Sequence, residues 1–347
     1  MPTPSMSDQP MPYQLKLMDG NQFRRWAVLA LLTLSGKVVA GSVTFVSADR
    51  IAVVADLNIG LLDAGTGEVA TTFGNTPEKN IFLEIASSSD RKTVATTNFD
   101  GSIKLWDTAS GKLIKTLVGA SETVWAHVFS PDGKVLASGG DRLGVTLWNV
   151  ASGKKLLTLD EGSGQPVKRD HVDDVLAFSP DSRTLASGPY RGGLVLWDVA
   201  TGKRLLTLAQ DKSGGVTSAV FSPDGKTLVR GQREGSVKLW NAATGALLRT
   251  LVGHSGQVES VAFSPGGKTI ASGGADFDIR LWNAFSGALL KTLKGHSQDV
   301  GTLAFSPNGK TLLSQSAASS DGSLRVWLWN VASGKVIWKY GVNGAEE

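Results

Sequence analysis

The chain has 347 residues, of which 41% are hydrophobic and 19% are charged, and its formal net charge is +4 at pH 7. These values are typical of a globular protein with a large apolar core and argue against an intrinsically disordered chain. The absence of cysteine excludes a disulfide framework and a thiolate zinc site. No apolar run is long enough to cross a bilayer as a helix.

The first predicted element is an apolar run within residues 24–40, which follows a polar tail over residues 1–23. Residues 30–34 nearly repeat residues 204–208 of the repeats described below, which favours an extra strand that packs on the closing sheet of the fold. A pair of arginines before the run and the small side chain of Ala40 also fit a cleaved signal peptide. We expect the strand and a cytoplasmic chain, and export with cleavage near Ala40 is the alternative.

From about residue 41 onwards the sequence repeats. Leu-Trp-Asp or Leu-Trp-Asn recurs at intervals of 42 to 49 residues, and Phe-Ser-Pro followed by Asp, Gly or Asn recurs in phase with it. The first copy is degenerate and has Leu-Leu-Asp instead. The other six copies are marked by Trp106, Trp148, Trp197, Trp240, Trp282 and Trp329. The sequence therefore contains seven repeats, and a period of this length indicates a repeat architecture.

Each repeat contains four short segments that are typical of β-strands. In the fifth repeat the predicted strands are residues 216–221, 227–231, 237–240 and 247–251. The segments between them are turns rich in Gly, Pro and Asp, and no helical periodicity is present. Apolar residues occur on both faces of each strand, which indicates sheets packed between two others around a ring. The last repeat ends with a strand within residues 334–341, and a tail over residues 342–347 follows.

The two markers in phase are similar to those of the WD-repeat β-propeller family, and the resemblance covers residues 41–341. It implies an all-β fold, a seven-bladed β-propeller of four-stranded antiparallel blades whose first blade is degenerate. The unbroken Phe-Ser-Pro-Asp-Gly-Lys motif resembles bacterial members of the family more than eukaryotic ones. Because contacts in a repeat fold are mostly between neighbours, joining the two ends of the chain is expected to lock the ring.

In that family each blade holds a hydrogen-bonded brace made of a Gly-His pair, an aspartate six residues before the tryptophan, and the tryptophan itself. The resemblance implies complete braces in blades six and seven and a partial one in blade two. Their members are His254, Asp276 and Trp282; His296, Asp321 and Trp327; and Asp100 and Trp106. Blades three to five place Arg142, Arg191 and Glu234 at the aspartate position, so we expect these blades to be the more compliant part of the ring.

A search for catalytic chemistry gives no candidate. Three of the four histidines, His171, His254 and His296, lie at or near the Gly-His position, and His127 lies at an inward-facing strand position typical of the core. No serine sits in a Gly-x-Ser-x-Gly elbow, and the glycine-rich segments are turns without the helix that a phosphate cradle needs. We therefore expect no catalytic residue, no metal and no cofactor.

Function is expected on one face of the propeller, where loops extend from a rigid scaffold. We assign partner binding to residues near the start of the innermost strands and in the turns before the tryptophans: Phe82, Phe99, Trp125, Arg142, Asp174, Tyr190, Arg191, Arg233, Glu259 and Phe277. Aromatic and arginine side chains dominate binding hot spots, and the arginines favour an acidic or extended segment.

The sequence thus predicts a non-enzymatic scaffold that binds a protein partner. We expect a monomeric propeller within a hetero-complex. A small molecule or a glycan in the central channel is the alternative. The mild net charge gives little support to nucleic-acid binding.

Overall fold

In a computed structural model of the protein, the described residues are 43–55, 58–74, 82–98, 101–119, 124–140, 144–159, 173–189, 193–208, 215–316 and 325–341. These residues contain 28 strands in seven four-stranded sheets and no helix. The predictions made for residues 1–42 and 342–347 lie outside the described residues. They are the polar tail, the extra strand or signal peptide, and the C-terminal tail.

Each blade is formed by four consecutive strands. Blade one contains β1 (Val43–Phe45), β2 (Arg50–Ala55), β3 (Asn58–Asp63) and β4 (Val69–Phe73). Blade two contains β5 (Phe82–Ser87), β6 (Thr93–Asn98), β7 (Ile103–Asp107) and β8 (Leu113–Leu117). Blade three contains β9 (Val124–Phe129), β10 (Val135–Gly140), β11 (Val145–Asn149) and β12 (Lys155–Leu159). Blade four contains β13 (Asp173–Phe178), β14 (Thr184–Pro189), β15 (Val195–Asp198) and β16 (Arg204–Thr207).

The remaining three blades follow the same order. Blade five contains β17 (Val216–Phe221), β18 (Thr227–Gln232), β19 (Ser236–Asn241) and β20 (Leu247–Val252). Blade six contains β21 (Val258–Phe263), β22 (Thr269–Gly274), β23 (Ile279–Asn283) and β24 (Leu289–Leu293). Blade seven contains β25 (Val300–Phe305), β26 (Thr311–Ser316), β27 (Arg325–Asn330) and β28 (Val336–Gly341). The predicted seven-bladed propeller of four-stranded antiparallel blades is confirmed.

Apolar side chains on both faces of the sheets form the core between neighbouring blades. One cluster joins Val175 and Leu196 of blade four to Val216 and Trp240 of blade five. Equivalent clusters fill the other six interfaces. Full burial of one such side chain contributes about 1.5–3 kcal/mol, so the interfaces between blades, and not the single sheets, stabilise the ring.

Blades one and seven close the ring by packing as two complete sheets. In each blade, the turn between the third and outer strands contains a glycine with a φ of 67° to 77° that lies against the outer strand of the preceding blade. At the closure this glycine is Gly67 and its neighbour is Trp338 of β28. The Trp338 indole N–H also donates to the Ala64 carbonyl at 2.8 Å. The predicted C-terminal strand therefore completes blade seven and packs it against blade one.

The turns of the blades form two opposite faces. The first strands contact one another around the centre of the ring, which makes them the innermost strands. We call upper face the face with the turns between second and third strands and the connections from outer strands to the next blade. In blade six the Ala275 N–H donates to the Gln257 carbonyl at 2.8 Å and ties these two segments together. The lower face carries the remaining turns.

Candidate functional site

The complete brace in blade six is a chain of four hydrogen-bonded side chains. Trp282 Nε1 donates to Ser272 Oγ at 2.8 Å, the Ser272 hydroxyl lies 2.7 Å from His254 Nε2, and His254 Nδ1 lies 2.7 Å from Asp276 Oδ1. The indole can only donate and the carboxylate can only accept, so His254 donates from Nδ1 and accepts at Nε2. Burial lowers the pKa of His254 and keeps the ring neutral. Asp276 also accepts from Arg280 Nη1 at 2.7 Å.

The sequence pattern located His254, Asp276 and Trp282 but missed the serine that connects them. The same bond recurs in other blades, where a hydroxyl ten residues before the tryptophan accepts from the indole. The pairs are Trp106 with Thr96, Trp148 with Ser138, and Trp197 with Ser187, each at 2.9 Å. This constant spacing is a sequence signal that would have found the serine.

In blade seven the assignment of Trp327 to the brace is wrong, because Trp329 occupies the position. Trp329 Nε1 donates to Ser314 Oγ at 2.7 Å, and the same hydroxyl lies 2.7 Å from His296 Nε2. Trp327 instead stacks on the His296 ring with the two centroids 4.3 Å apart. The spacing of six residues misled the assignment because the hairpin between β26 and β27 is longer than in the other blades. Asp321 lies in that hairpin, outside the described residues.

Blade five replaces the brace by other groups. Arg230 stands where blades two, three, four, six and seven have serine or threonine, and it is fully buried with its guanidinium 4.9 Å from the centre of the Trp240 ring. The Gln232 amide, oriented with its oxygen towards Arg230, accepts from the guanidinium at 3.0 Å. Glu234, at the aspartate position, is exposed and lies 3.3 Å from Lys238 Nζ. This blade thus has a buried cation beneath its tryptophan in place of a Ser–His–Asp chain.

The other brace predictions have mixed outcomes. Trp106 bonds to Thr96 as described, whereas Asp100, Arg142, Arg191 and His171 lie outside the described residues.

His127 is buried in the core, as expected for its position. Its ring lies 3.1 Å from Glu84 Oε2 and 3.0 Å from the Ala95 carbonyl, so it connects blades two and three. Among the described residues, no cluster of three or more His, Asp or Glu side chains is arranged to hold a metal ion.

Three of the predicted partner-binding side chains, Arg233, Glu259 and Phe277, are described, and all three lie at the upper face of blades five and six. Trp125 and Asp174 are the second residues of β9 and β13, and only their backbone is described. The positions outside the described residues are Phe99, Arg142, Tyr190 and Arg191.

Only the backbone of Phe82 is described, and its strand register differs from that of Trp125, Asp174 and Glu259. Phe82 pairs with Asn98, as the buried Val216 pairs with Gln232 and the buried Val258 pairs with Gly274. It therefore holds a position that faces the core in other blades. The serine-rich turn after β5 lacks the Phe-Ser-Pro marker, so the count along the strand was one residue out of register.

Phe277 is held in a backbone conformation that favours glycine. Its φ is 66°, and its N–H donates to the Gly274 carbonyl at 3.1 Å. The same turn in blades two and five has Gly101 and Gly235 at this position, with φ of 74° and 87° and the same 3.1 Å hydrogen bond. A left-handed conformation costs a residue with a Cβ about 1–2 kcal/mol. The phenylalanine is 39% exposed and belongs to none of the apolar clusters of the described residues.

Charged groups of both signs lie on the same face as Phe277. Its turn is joined to Gln257, whose amide donates to Glu259 Oε1 at 2.8 Å at the start of β21. Asp278 follows it directly, and Arg233 is exposed in the corresponding turn of blade five. An aromatic side chain on the same face as a carboxylate and a guanidinium has the composition of a binding hot spot. We call Phe277, Glu259 and Arg233 the upper-face cluster.

Seven four-stranded blades in a ring, with a Trp–Ser–His–Asp brace in blade six, define a β-propeller of the WD-repeat class. The family model "WD40: WD domain, G-beta repeat" matches residues 69–107, 111–149, 202–241, 245–283 and 287–327, which is more than half of the chain. The chain therefore belongs to the WD40 repeat family. No helix in the described part of the chain is long and apolar enough to traverse a membrane.

One similar curated protein is the nuclear distribution protein PAC1 of Coccidioides posadasii (strain C735). It is 37% identical over 100 residues, which cover 23% of this chain and 21% of PAC1. The match thus spans about a fifth of that protein's length. Because this relative is eukaryotic, it does not support the resemblance to bacterial members that the repeat motif suggested.

Proposed function

We propose that the protein is a non-enzymatic interaction scaffold that binds a partner protein through the upper face of its propeller. Membership of the WD40 repeat family supports an interaction role at the level of the fold. The upper-face cluster supports its location. We propose a monomeric propeller that acts as one subunit of a hetero-complex.

The observation that carries the proposal is the strained phenylalanine in blade six. Gly101 and Gly235 show that the turn forms with glycine, and Phe277 forms the same hydrogen bond at a cost of about 1–2 kcal/mol. Strain of this kind is concentrated at binding and catalytic sites, where the side chain supplies something other than stability. An aromatic ring that is 39% exposed on a rigid turn supplies a contact for a partner.

The partner segment proposed for this face is acidic or extended. Arg233, a member of the cluster, is exposed, and Arg142 and Arg191 lie in the corresponding turns of the sequence in blades three and four, at the position of Glu234. Guanidinium groups pair with carboxylates through two parallel hydrogen bonds, which gives both affinity and orientation. An extended segment lying across these positions would connect blades three to six.

The test is to isolate the protein from its native cells with a C-terminal tag and to identify the proteins that co-purify. We compare the wild type with Phe277→Gly and with Arg142→Glu/Arg191→Glu. Leu205→Ala is the matched control, because Leu205 is 56% exposed on the outer strand of blade four, away from the upper face.

A partner that is retained by the wild type and by Leu205→Ala but lost by Phe277→Gly supports the proposal. Loss in the double arginine variant supports an acidic segment. A partner that all variants retain, or a wild-type protein that purifies alone, contradicts the proposed surface and favours a small ligand in the channel.

A further inference from the structure

On the lower face of blade six, a second aromatic side chain occupies a position where the other blades have a small residue. Phe285 lies in the turn between β23 and β24 and is 92% exposed. The corresponding residue in the other blades is small. These residues are Gly65, Ala109, Ala151, Ala200, Ala243 and Ala332.

The turn does not need the phenylalanine. The Asn283 side chain accepts from the N–H groups of Phe285 and Ser286 at 3.0 and 2.8 Å. In blade five Asn241 forms the same bonds with Ala243 and Thr244 at 3.0 and 2.9 Å. Since the ring of Phe285 is almost wholly in solvent, it contributes nothing to the core and exposes apolar surface instead.

The charge of the lower face changes at the same blade. Blades two to five carry a carboxylate in the turn between the first and second strands, at Asp90, Asp132, Asp181 and Asp224. Hydrogen bonds from serine hydroxyls lower the pKa of Asp90, Asp181 and Asp224, so these groups are ionised at neutral pH. Blade six has Gly266 at this position and blade seven has Asn308.

In blades six and seven the turns between the first and second strands lack the carboxylate but still contain the lysine. Lys268 and Lys310 follow Gly266 and Asn308 by two residues, as Lys226 follows Asp224. The turns between the third and outer strands in blades six and seven also begin with asparagine, where blades one, two and four have aspartate. The described lower-face turns of blades six and seven thus contain lysine and no carboxylate.

Phe285 lies within this basic region. The N–H of the preceding Ala284 donates to the Lys268 carbonyl at 2.9 Å, which places the two turns side by side. Gly287 of the same turn packs against the Arg249 side chain of blade five. At the next interface Lys291 Nζ donates to the Ala332 carbonyl at 2.5 Å, so a cation lies beside the equivalent residue there too. We call Phe285, Arg249 and Lys268 the Phe285 patch.

We infer that the Phe285 patch binds a second partner protein, whose surface has an apolar pocket bordered by aspartate and glutamate side chains. The protruding ring would fill the pocket, and Arg249 and Lys268 would pair with its acidic border. A flat anionic membrane is disfavoured, because the ionised Asp181 and Asp224 lie on the same face and would be repelled by acidic headgroups. The inference does not depend on the proposed function, since the two surfaces lie on opposite faces.

The test introduces a photo-crosslinking residue in native cells, as Phe285→p-benzoylphenylalanine in the full-length protein. The same substitution at Ala200, in the equivalent turn of blade four, is the control for position. We expect a discrete protein adduct from position 285 and none from position 200, with the crosslinked peptide adjacent to acidic residues. The identified partner is then purified and titrated against Phe285→Ala, Lys268→Glu and Leu205→Ala.

Phe285→Ala introduces the residue found in blades two to five and seven, so the variant should fold and keep the melting temperature of the wild type. We expect it to weaken partner binding at least tenfold and Lys268→Glu to weaken it several-fold, with Leu205→Ala unchanged. No protein adduct at position 285, an adduct only with a second copy of the chain or with lipid, or an equal adduct at position 200 would each overturn the inference. So would an affinity that Phe285→Ala leaves unaltered.

Discussion

Blades five and six arrange the same four strands around different polar groups. Trp240 and Trp282 occupy the same register and are both buried. The indole N–H of Trp282 donates to Ser272 and so joins a chain of hydrogen bonds. In blade five Arg230 replaces the serine, and Trp240 Nε1 has no hydrogen-bond partner among the described residues. Apolar packing between blades therefore positions the tryptophan strand, and the brace adds local stability to a blade that would form without it.

The difference in stability between the polar groups of blades five and six should be largest at the aspartate position. Asp276→Ala removes the acceptor for His254, Arg280 and the Ser255 N–H within a nearly buried network. We expect it to lower the free energy of unfolding by about 3 kcal/mol, because breaking a buried charged network leaves its other members unsatisfied. Urea denaturation followed by tryptophan fluorescence measures the change.

The matched variant is Glu234→Ala in blade five. Glu234 pairs at 3.3 Å with Lys238, which is buried, while the Glu234 side chain itself is 28% exposed. We therefore expect a loss of about 1 kcal/mol, the upper end for an exposed ion pair. Equal losses for the two variants would show that blade five depends on its carboxylate as much as blade six does.

The free energy of unfolding should depend on pH through the two buried histidines of blades six and seven. Burial, followed by the charges of Lys339 and Arg325, lowers the pKa of His296 to about 4, and burial also lowers the pKa of His254. An unfolded histidine titrates near pH 6.5. Between these values the unfolded chain binds more protons than the folded one, so stability must fall as the pH falls from about 6.5 towards 4.

For His296 this difference in pKa corresponds to about 3 kcal/mol over the full range, and to less at pH 5. Urea denaturation of the wild type and of His296→Gln at pH 7, 6 and 5 measures it. The glutamine variant should be less stable at pH 7 and should lose less stability on acidification. Parallel pH curves for the two proteins would show that His296 is not the titrating group.

The Ser272 hydroxyl is the centre of the brace in blade six. Ser272→Ala leaves Trp282 Nε1 and His254 Nε2 without their shared partner in a fully buried site. We expect a loss of about 2 kcal/mol, since each orphaned polar group costs about 1–3 kcal/mol and some relaxation occurs. The control is Ser286→Ala in an exposed lower-face turn, which should change stability by less than about 0.5 kcal/mol.

The smallest effect on stability is expected at the upper-face cluster. Phe277→Gly relieves the left-handed strain of about 1–2 kcal/mol, but it removes a half-buried ring and adds backbone entropy to the unfolded chain. These contributions nearly cancel, so thermal unfolding should stay within about 1 kcal/mol of the wild type. A large loss would show that Phe277 is a packing residue.

The fold could be predicted from the sequence because five of the seven blades carry both markers, which recur in phase at intervals of 42 to 49 residues. The braces could be predicted only in part. Spacing located His254, Asp276 and Trp282, but the longer hairpin of blade seven shifted the count from Trp329 to Trp327. A rule based on spacing fails wherever a turn changes length.

Contacts between distant parts of the chain could not be predicted from the repeat. The closing hydrogen bond between Trp338 and Ala64 joins residues 274 positions apart, and no periodicity indicates it. The exposure of Phe285 could not be predicted either. An apolar residue next to a strand is expected in the core unless the positions of the neighbouring blades are known. The strain at Phe277 became visible only when the backbone of three equivalent turns was compared.

The upper face is proposed to bind a partner through residues that the fold itself does not need. The most direct measurement is the affinity of the purified partner for the wild type and for Phe277→Gly, taken beside their thermal unfolding curves. We expect Phe277→Gly to bind the partner at least tenfold more weakly with stability nearly unchanged, as for a hot-spot residue. Unchanged affinity, or weaker binding that follows a loss of stability, would contradict it.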